Sequence, residues 1–297
     1  MSESNRINAS SHFNLSTALR LASATELAYA QPDVVERTVI DRWKCSRFLF
    51  FDVEATQCFL AADQDTIIVC FRGTEPSQLE DWIVDLDFEL VEGPLGGRVH
   101  AGFYDALSCV WYSLDHEVRR LQAERPRPLW VAGHSLGAAL AALAVARWRA
   151  AEVPVSELFA FGQPRTGDRE FARHFDFAFR PHAFRIVNDH DIITRTPPRS
   201  LGYHHLGTFI YLTDSGDLSD DVGRWQQFLD GWQGAFESIF DWGGRGVEEH
   251  RMVRYRQRIE KAFARQSAAN IIPYRPRAAS PRQQSSALLV EPRRRAA

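Results

Sequence analysis

Leu129-Trp130-Val131-Ala132-Gly133-His134-Ser135-Leu136-Gly137 opens an alanine-rich run that continues to Ala150. The four apolar residues after Pro128 suit a short buried strand, and the alanine-rich run suits a helix. Between them lies Gly-x-Ser-x-Gly, so the stretch predicts strand, sharp turn, helix. Two glycines permit a crowded turn and leave Ser135 Oγ projecting from the end of a sheet. The helix behind it aims free N–H groups and its positive dipole end at the same point. Five residues with three fixed positions occur often by chance, and the plain alternative is a serine in a glycine-rich turn. The flanking strand and helix favour Ser135 as a nucleophile.

A serine hydroxyl needs a base to take its proton, and the base needs an orienting acid. Ala183-Phe184-Arg185-Ile186-Val187 reads as a strand, with Asp189 and Asp191 in the loop after it. Both are candidate acids. Three histidines follow, at 204, 205 and 250. Sites on parallel sheets form beyond the C-terminal strand ends. His204 and His205 precede the strand Thr208-Phe209-Ile210-Tyr211-Leu212, which puts them at the opposite end if that strand is parallel. His250 follows it and is the better base. His134 is expected to shape the turn rather than to titrate.

Further segments make a family resemblance recognisable. Phe71-Arg72-Gly73-Thr74, Val99-His100-Ala101-Gly102-Phe103, Phe161-Gly162-Gln163-Pro164-Arg165-Thr166-Gly167, Arg185 through Asp191 with Pro197-Pro198, and Gly202-Tyr203-His204-His205-Leu206-Gly207 occur in order. With the serine element they resemble the class 3 (fungal-type, Rhizomucor-like) lipases. The resemblance implies an α/β-hydrolase fold, with a mostly parallel central sheet flanked by helices. It implies Asp191 as the acid and supports His250, ahead of a short helix carrying a tyrosine, as the base. It makes His205 structural. Leu136 N–H is the expected first oxyanion donor, and the resemblance implies Thr74 as the second.

The same resemblance implies a mobile lid after Thr74. Ser77-Gln78-Leu79-Glu80 is a capping box, and Leu79, Trp82, Ile83 and Leu86 form one apolar face. A fixed helix packing Trp82 into the core is the plain alternative. Departures from the family pattern are Ala138 for a second glycine, Ile193-Thr194 for Val-Pro, and an aromatic stretch at 213–249. The expected activity is hydrolysis of carboxylic esters, foremost triacylglycerols, through an acyl-serine. Carboxylesterase, phospholipase A1 and polysaccharide esterase are rival activities on one scaffold. A catalytically silent lipid- or protein-binding member is the rival from another class. No cofactor and no metal are expected, since the acidic turn at Asp214, Asp217, Asp220 and Asp221 lacks an EF-hand pattern.

The 297 residues include 45% hydrophobic and 25% charged ones, which excludes wholesale disorder. A net charge of −3 makes nucleic acid a poor partner. An ester, soluble or interfacial, with transient contact to a lipid surface, is the expected partner. No apolar run approaches the roughly 20 residues of a membrane span. A polar start and the charges at Arg20 and Glu26 point to a cytoplasmic protein rather than a signal peptide. Of the cysteines at 45, 58, 70 and 109, Cys45 and Cys58 are expected to face each other across a hairpin, with thiols favoured over bridges. The chain is expected to divide into a flexible start (1–13), one domain (14–265) and a basic, disordered tail (266–297). The tail carries six arginines and one glutamate, or +5, so the rest of the chain carries −8.

Overall fold

The computed structural model describes residues 13–54, 56–75, 78–79, 87–188, 191–219 and 245–270. Asn14 starts the first helix, its side chain accepting from the Ser16 and Thr17 amides at 2.9 and 3.1 Å. Those are donors that a helix start otherwise leaves open. This helix, α1 (Leu15–Leu27), leads to α2 (Pro32–Arg37), which continues as a π-turn through Arg42. Three strands follow: β1 (Arg47–Val53), β2 (Thr56–Ala62) and β3 (Ile67–Phe71). Next come β4 (Leu90–Glu92), β5 (Arg98–His100) and the long α3 (Ala101–Glu124). A βα alternation then runs through β6 (Leu129–His134), α4 (Leu136–Ala150), β7 (Glu157–Phe161), β8 (Gly167–Asp168), α5 (Arg169–Phe179) and β9 (Ala183–Asn188). The described chain ends with β10 (Tyr203–His204), β11 (Thr208–Leu212), β12 (Leu218–Ser219), α6 (Arg245–His250) and α7 (Met252–Asn270).

The main sheet has the order β1-β2-β3-β6-β7-β9-β11-β12. Strands β3, β6, β7, β9 and β11 are mutually parallel, and the outer pairings are antiparallel. Parallel neighbours need crossovers, and these carry helices onto both faces. Side-chain parity divides the core accordingly. Ile67, Val69, Phe71, Leu129 and Val131 pack with α3, α4 and α5. Ile68, Cys70, Ala132, Phe159 and Phe161 pack with α1 and α7 on the other face. Helix α4 is buried almost throughout from Gly137 to Ala146, and its alanines keep it thin enough to lie close against the sheet. The fold is the expected α/β-hydrolase arrangement. A second, antiparallel sheet, β10-β8-β5-β4, flanks it.

The cysteine expectation needs correction. β1 and β2 do form a hairpin, but Cys58 pairs with Phe51, whereas Cys45 precedes β1 at its far end. The two thiols also sit in different core clusters, and all four cysteines are free. The last helix runs 19 residues to Asn270. Ser77 of the capping box, Trp82, Ile83, Asp189, residues 1–12 and 271–297, and the aromatics between 220 and 244 lie outside the described residues.

Candidate active site

Ser135 joins β6 to α4 with φ 58° and ψ −129°. A non-glycine residue holds such a conformation only where its surroundings impose it. Its amide donates to the Phe161 carbonyl at 3.0 Å, and its own carbonyl accepts from Ala138 at 2.9 Å. The turn is tight: a Cβ on Gly133 would lie 2.2 Å from the Gly137 carbonyl oxygen. Only glycine fits there. The Leu136 N–H, first in α4, has no intrahelical acceptor. The oxyanion loop lies alongside, since a Cβ on Gly73 would come within 2.9 Å of Ser135 Cβ. Thr74 follows Gly73 and is half-buried.

Asp191 follows β9, at the same end of the sheet as Ser135. It is fully buried, and its two oxygens are separately engaged. Oδ1 accepts from the Ile193 amide at 2.9 Å. Oδ2 accepts from His250 Nδ1 at 2.7 Å and from the Tyr255 hydroxyl. The Tyr255 oxygen in turn accepts from the Asn188 amide at 3.1 Å. Burial, and then the Asp191 charge, hold the Tyr255 phenol well above its ordinary pKa, so it stays a donor.

His250 ends α6 and is 2% exposed. Its position is fixed from three sides. Asn188 Nδ2 donates to the preceding Glu249 carbonyl at 2.9 Å. Arg258 of α7 pairs with the Glu249 carboxylate at 2.6 Å and with Asp214. His134 Nε2 lies 2.5 Å from the His250 carbonyl oxygen, so that nitrogen donates. His134 Nδ1 is then an acceptor for the Tyr29 hydroxyl at 2.7 Å. Burial first, and the adjacent His250 ring second, push His134 well below the usual imidazole range. It is a neutral bridge, as its position in the turn led one to expect.

Among the described residues, Ser135 Oγ and His250 Nε2 are both buried and without a hydrogen-bond partner. Gly162, at the end of β7, shows how close the third group lies. A Cβ there would meet Asp191 Oδ2 at 2.8 Å and His250 Cε1 at 2.9 Å. The structure thus gathers Ser135, Asp191 and His250 at one end of the sheet, with Leu136 and Thr74 beside the serine. His204 and His205 lie at the other end, next to the start of β11. His205 is kept neutral by burial and by the positive field of Arg185 and Arg165. Leu79 is buried, at 2% exposure. Tyr29 carries no motif, and Asn188 sits in the acid-loop segment without a role assigned from sequence; each acts through contacts far away along the chain.

This geometry, on this sheet, defines a serine hydrolase scaffold of the α/β-hydrolase class. The family described as lipase (class 3) matches residues 68–201. The native Rhizomucor miehei lipase propeptide complex is 30% identical with a TM-score of 0.53, over 68% of each chain. The triacylglycerol lipase OBL1 of Arabidopsis thaliana is 28% identical, over 63% of this chain and 47% of that protein. The secreted mono- and diacylglycerol lipase A of Penicillium cyclopium is 28% identical, over 55% of this chain and 54% of its own. The chain belongs to the class 3 lipase family. It spans about half the length of these two curated relatives.

Proposed function

We propose that this protein hydrolyses carboxylic esters of acylglycerols through an acyl-Ser135 intermediate. One observation carries the reading: His250 is tied to a buried carboxylate through Nδ1, while its Nε2 and Ser135 Oγ are buried without a hydrogen-bond partner among the described residues. With Nδ1–H held by Asp191, Nε2 is the lone-pair nitrogen that can accept a proton. Ser135 Oγ attacks the ester carbonyl as its proton passes to Nε2. The resulting imidazolium is stabilised by Asp191. Leu136 N–H and Thr74 hold the oxyanion, a task that is usually the largest electrostatic contribution to acyl transfer. Collapse expels the alcohol with the proton from Nε2. Water, deprotonated by the same nitrogen, then releases the acid and restores Ser135.

Ser135 is fully buried, so an ester reaches it only after a covering segment moves. The segment 77–86, whose sequence pattern gives one apolar face, is the candidate cover; of it only Gln78 and the buried Leu79 are among the described residues. The similarity to lipases of triacylglycerols and of mono- and diacylglycerols supports acylglycerols as the substrate class. The test is an ester series of increasing acyl length, monomeric and emulsified, run on wild type, Ser135→Ala and His250→Ala. The lipase reading expects higher activity on long emulsified esters, abolished in both variants. Preference for short soluble esters replaces it with an esterase.

A further inference from the structure

A cavity lies beside the N-terminal end of β11, at the end of the sheet opposite Ser135. It measures about 600 Å³ and runs between α5 and the His204–His205 segment. Its lining is strongly basic. Arg169 and Arg173, one helical turn apart, face it together with Arg180, His174 and the two histidines. Asp176 is the single carboxylate on the wall, and it is already engaged. It accepts from the Gly207 amide at 2.7 Å and lies 3.7 Å from Arg180. Arg169 and Arg173 pair with no carboxylate among the described residues.

The wall behind the cavity adds to the positive field. Arg185 and Arg165 are 5% and 3% exposed. Burial, and then neighbouring guanidinium groups, bring them down to about 9 and about 10. The same field, from Arg185, Arg165 and Arg199, depresses His205 further once burial has lowered it. An anion in the cavity would relieve this repulsion. Guanidinium groups are forked donors matched to phosphate oxygens, and the volume suits a phosphorylated group larger than a simple halide. At the rim stands Phe177, 95% exposed. An aromatic ring held in water beside Arg169 and Arg173, which pair with no carboxylate among the described residues, has the character of a contact with a phospholipid surface, ring among acyl chains and arginines on headgroups.

We propose that this cavity binds a phosphate-bearing anion, with Phe177 directing it to the headgroup of an anionic phospholipid. The site is chemically separate from the ester-cleaving centre, so Ser135→Ala should bind vesicles like the wild type. The experiment uses the full chain and two probes. Co-sedimentation is measured with phosphatidylcholine vesicles, with and without phosphatidic acid. Titration with inorganic phosphate, against chloride at equal ionic strength, is followed by calorimetry.

Phosphatidic acid is expected to raise vesicle binding, and Arg169→Gln/Arg173→Gln to lower that gain about 25-fold, roughly fivefold per charge near the surface. Phe177→Ala should weaken vesicle binding and leave phosphate binding intact. Phosphate binding that is lost in the double variant, without vesicle binding, supports the cavity and assigns it to a soluble phosphate compound. Binding of both probes that the double variant leaves unchanged overturns the proposal, as does binding of neither. Activity on a soluble ester should be the same in every variant except Ser135→Ala, which confirms that the variants fold.

Discussion

Replacing Tyr255 by Phe removes one oxygen and leaves the ring packed where it is, with no exposed surface, between the sheet and α7. That oxygen serves two partners. It donates to Asp191 Oδ2 and accepts from the Asn188 amide. Without it, a buried N–H loses its acceptor, at a cost of about 1–3 kcal/mol, and a buried carboxylate loses a charge-assisted bond of similar size. The two losses share one atom and do not simply add; about 3 kcal/mol is the reasonable total. For a domain of this size that corresponds to a fall in Tm of about 6–12 °C. The effect on turnover should be smaller. Asp191 keeps the Ile193 amide and His250 Nδ1, so the base remains oriented and kcat/KM should fall by no more than about tenfold. Thermal unfolding and kcat/KM on a soluble chromogenic ester measure the two quantities. A Tm within a degree of wild type would refute the claim that this hydroxyl supports Asp191 and Asn188. An activity loss as deep as that of Asp191→Ala would make the phenol part of the chemistry.

Three further outcomes follow from buried groups. His100, stacked on Phe103 with centroids 3.8 Å apart, is held at about 4 by burial, against 6.5 for a free imidazole, with Asp87 opposing. The unfolded chain therefore binds the proton first, and stability is complete above about pH 6.5 and drains until about pH 4, by about 3 kcal/mol. His100→Asn keeps a capping acceptor and should flatten that slope by the same amount; urea unfolding at pH 7 and 4.5 with parallel losses would contradict it. Native protein should expose about one thiol, Cys109, to a disulfide reagent, and denatured protein all four. Cys45, Cys58 and Cys70 are buried, which pushes Cys70 up to about 12 and raises the other two as well. Tyr29→Phe should cost about 1–3 kcal/mol of stability by stranding His134 Nδ1, with unfolding midpoints as the measure and an unchanged midpoint as the contrary result.

The parts of the site legible in sequence are those whose constraint is local. The Gly133–Gly137 turn announces itself because a strand, a strained serine and a helix start must fit within a few residues, and only glycine allows the approach. Strand and helix parity around β3, β6 and α4 is local in the same way, and the alternation of β and α elements implies the parallel sheet. The supporting network is not local. Tyr29 meets His134 across 105 residues, and Tyr255 meets Asp191 across 64. Nothing in the neighbourhood of Tyr29 marks it, and the helix carrying Tyr255 is flagged by the family resemblance without its partner being legible. The misreading of Cys45 and Cys58 has the same origin. Their spacing suits a hairpin, but register and face decide contact, and those are set by how β1 and β2 pair. The choice between Asp189 and Asp191 likewise rests on resemblance, since in sequence both closely follow one predicted strand.

The central claim is that Ser135 is the nucleophile, activated by His250 and Asp191. Labelling with a fluorophosphonate, followed by intact-mass measurement and peptide mapping, tests it directly. One adduct is predicted, on the peptide containing Ser135, absent in Ser135→Ala and formed much more slowly in His250→Ala. An adduct on another residue, or equal labelling of Ser135→Ala, would contradict the account.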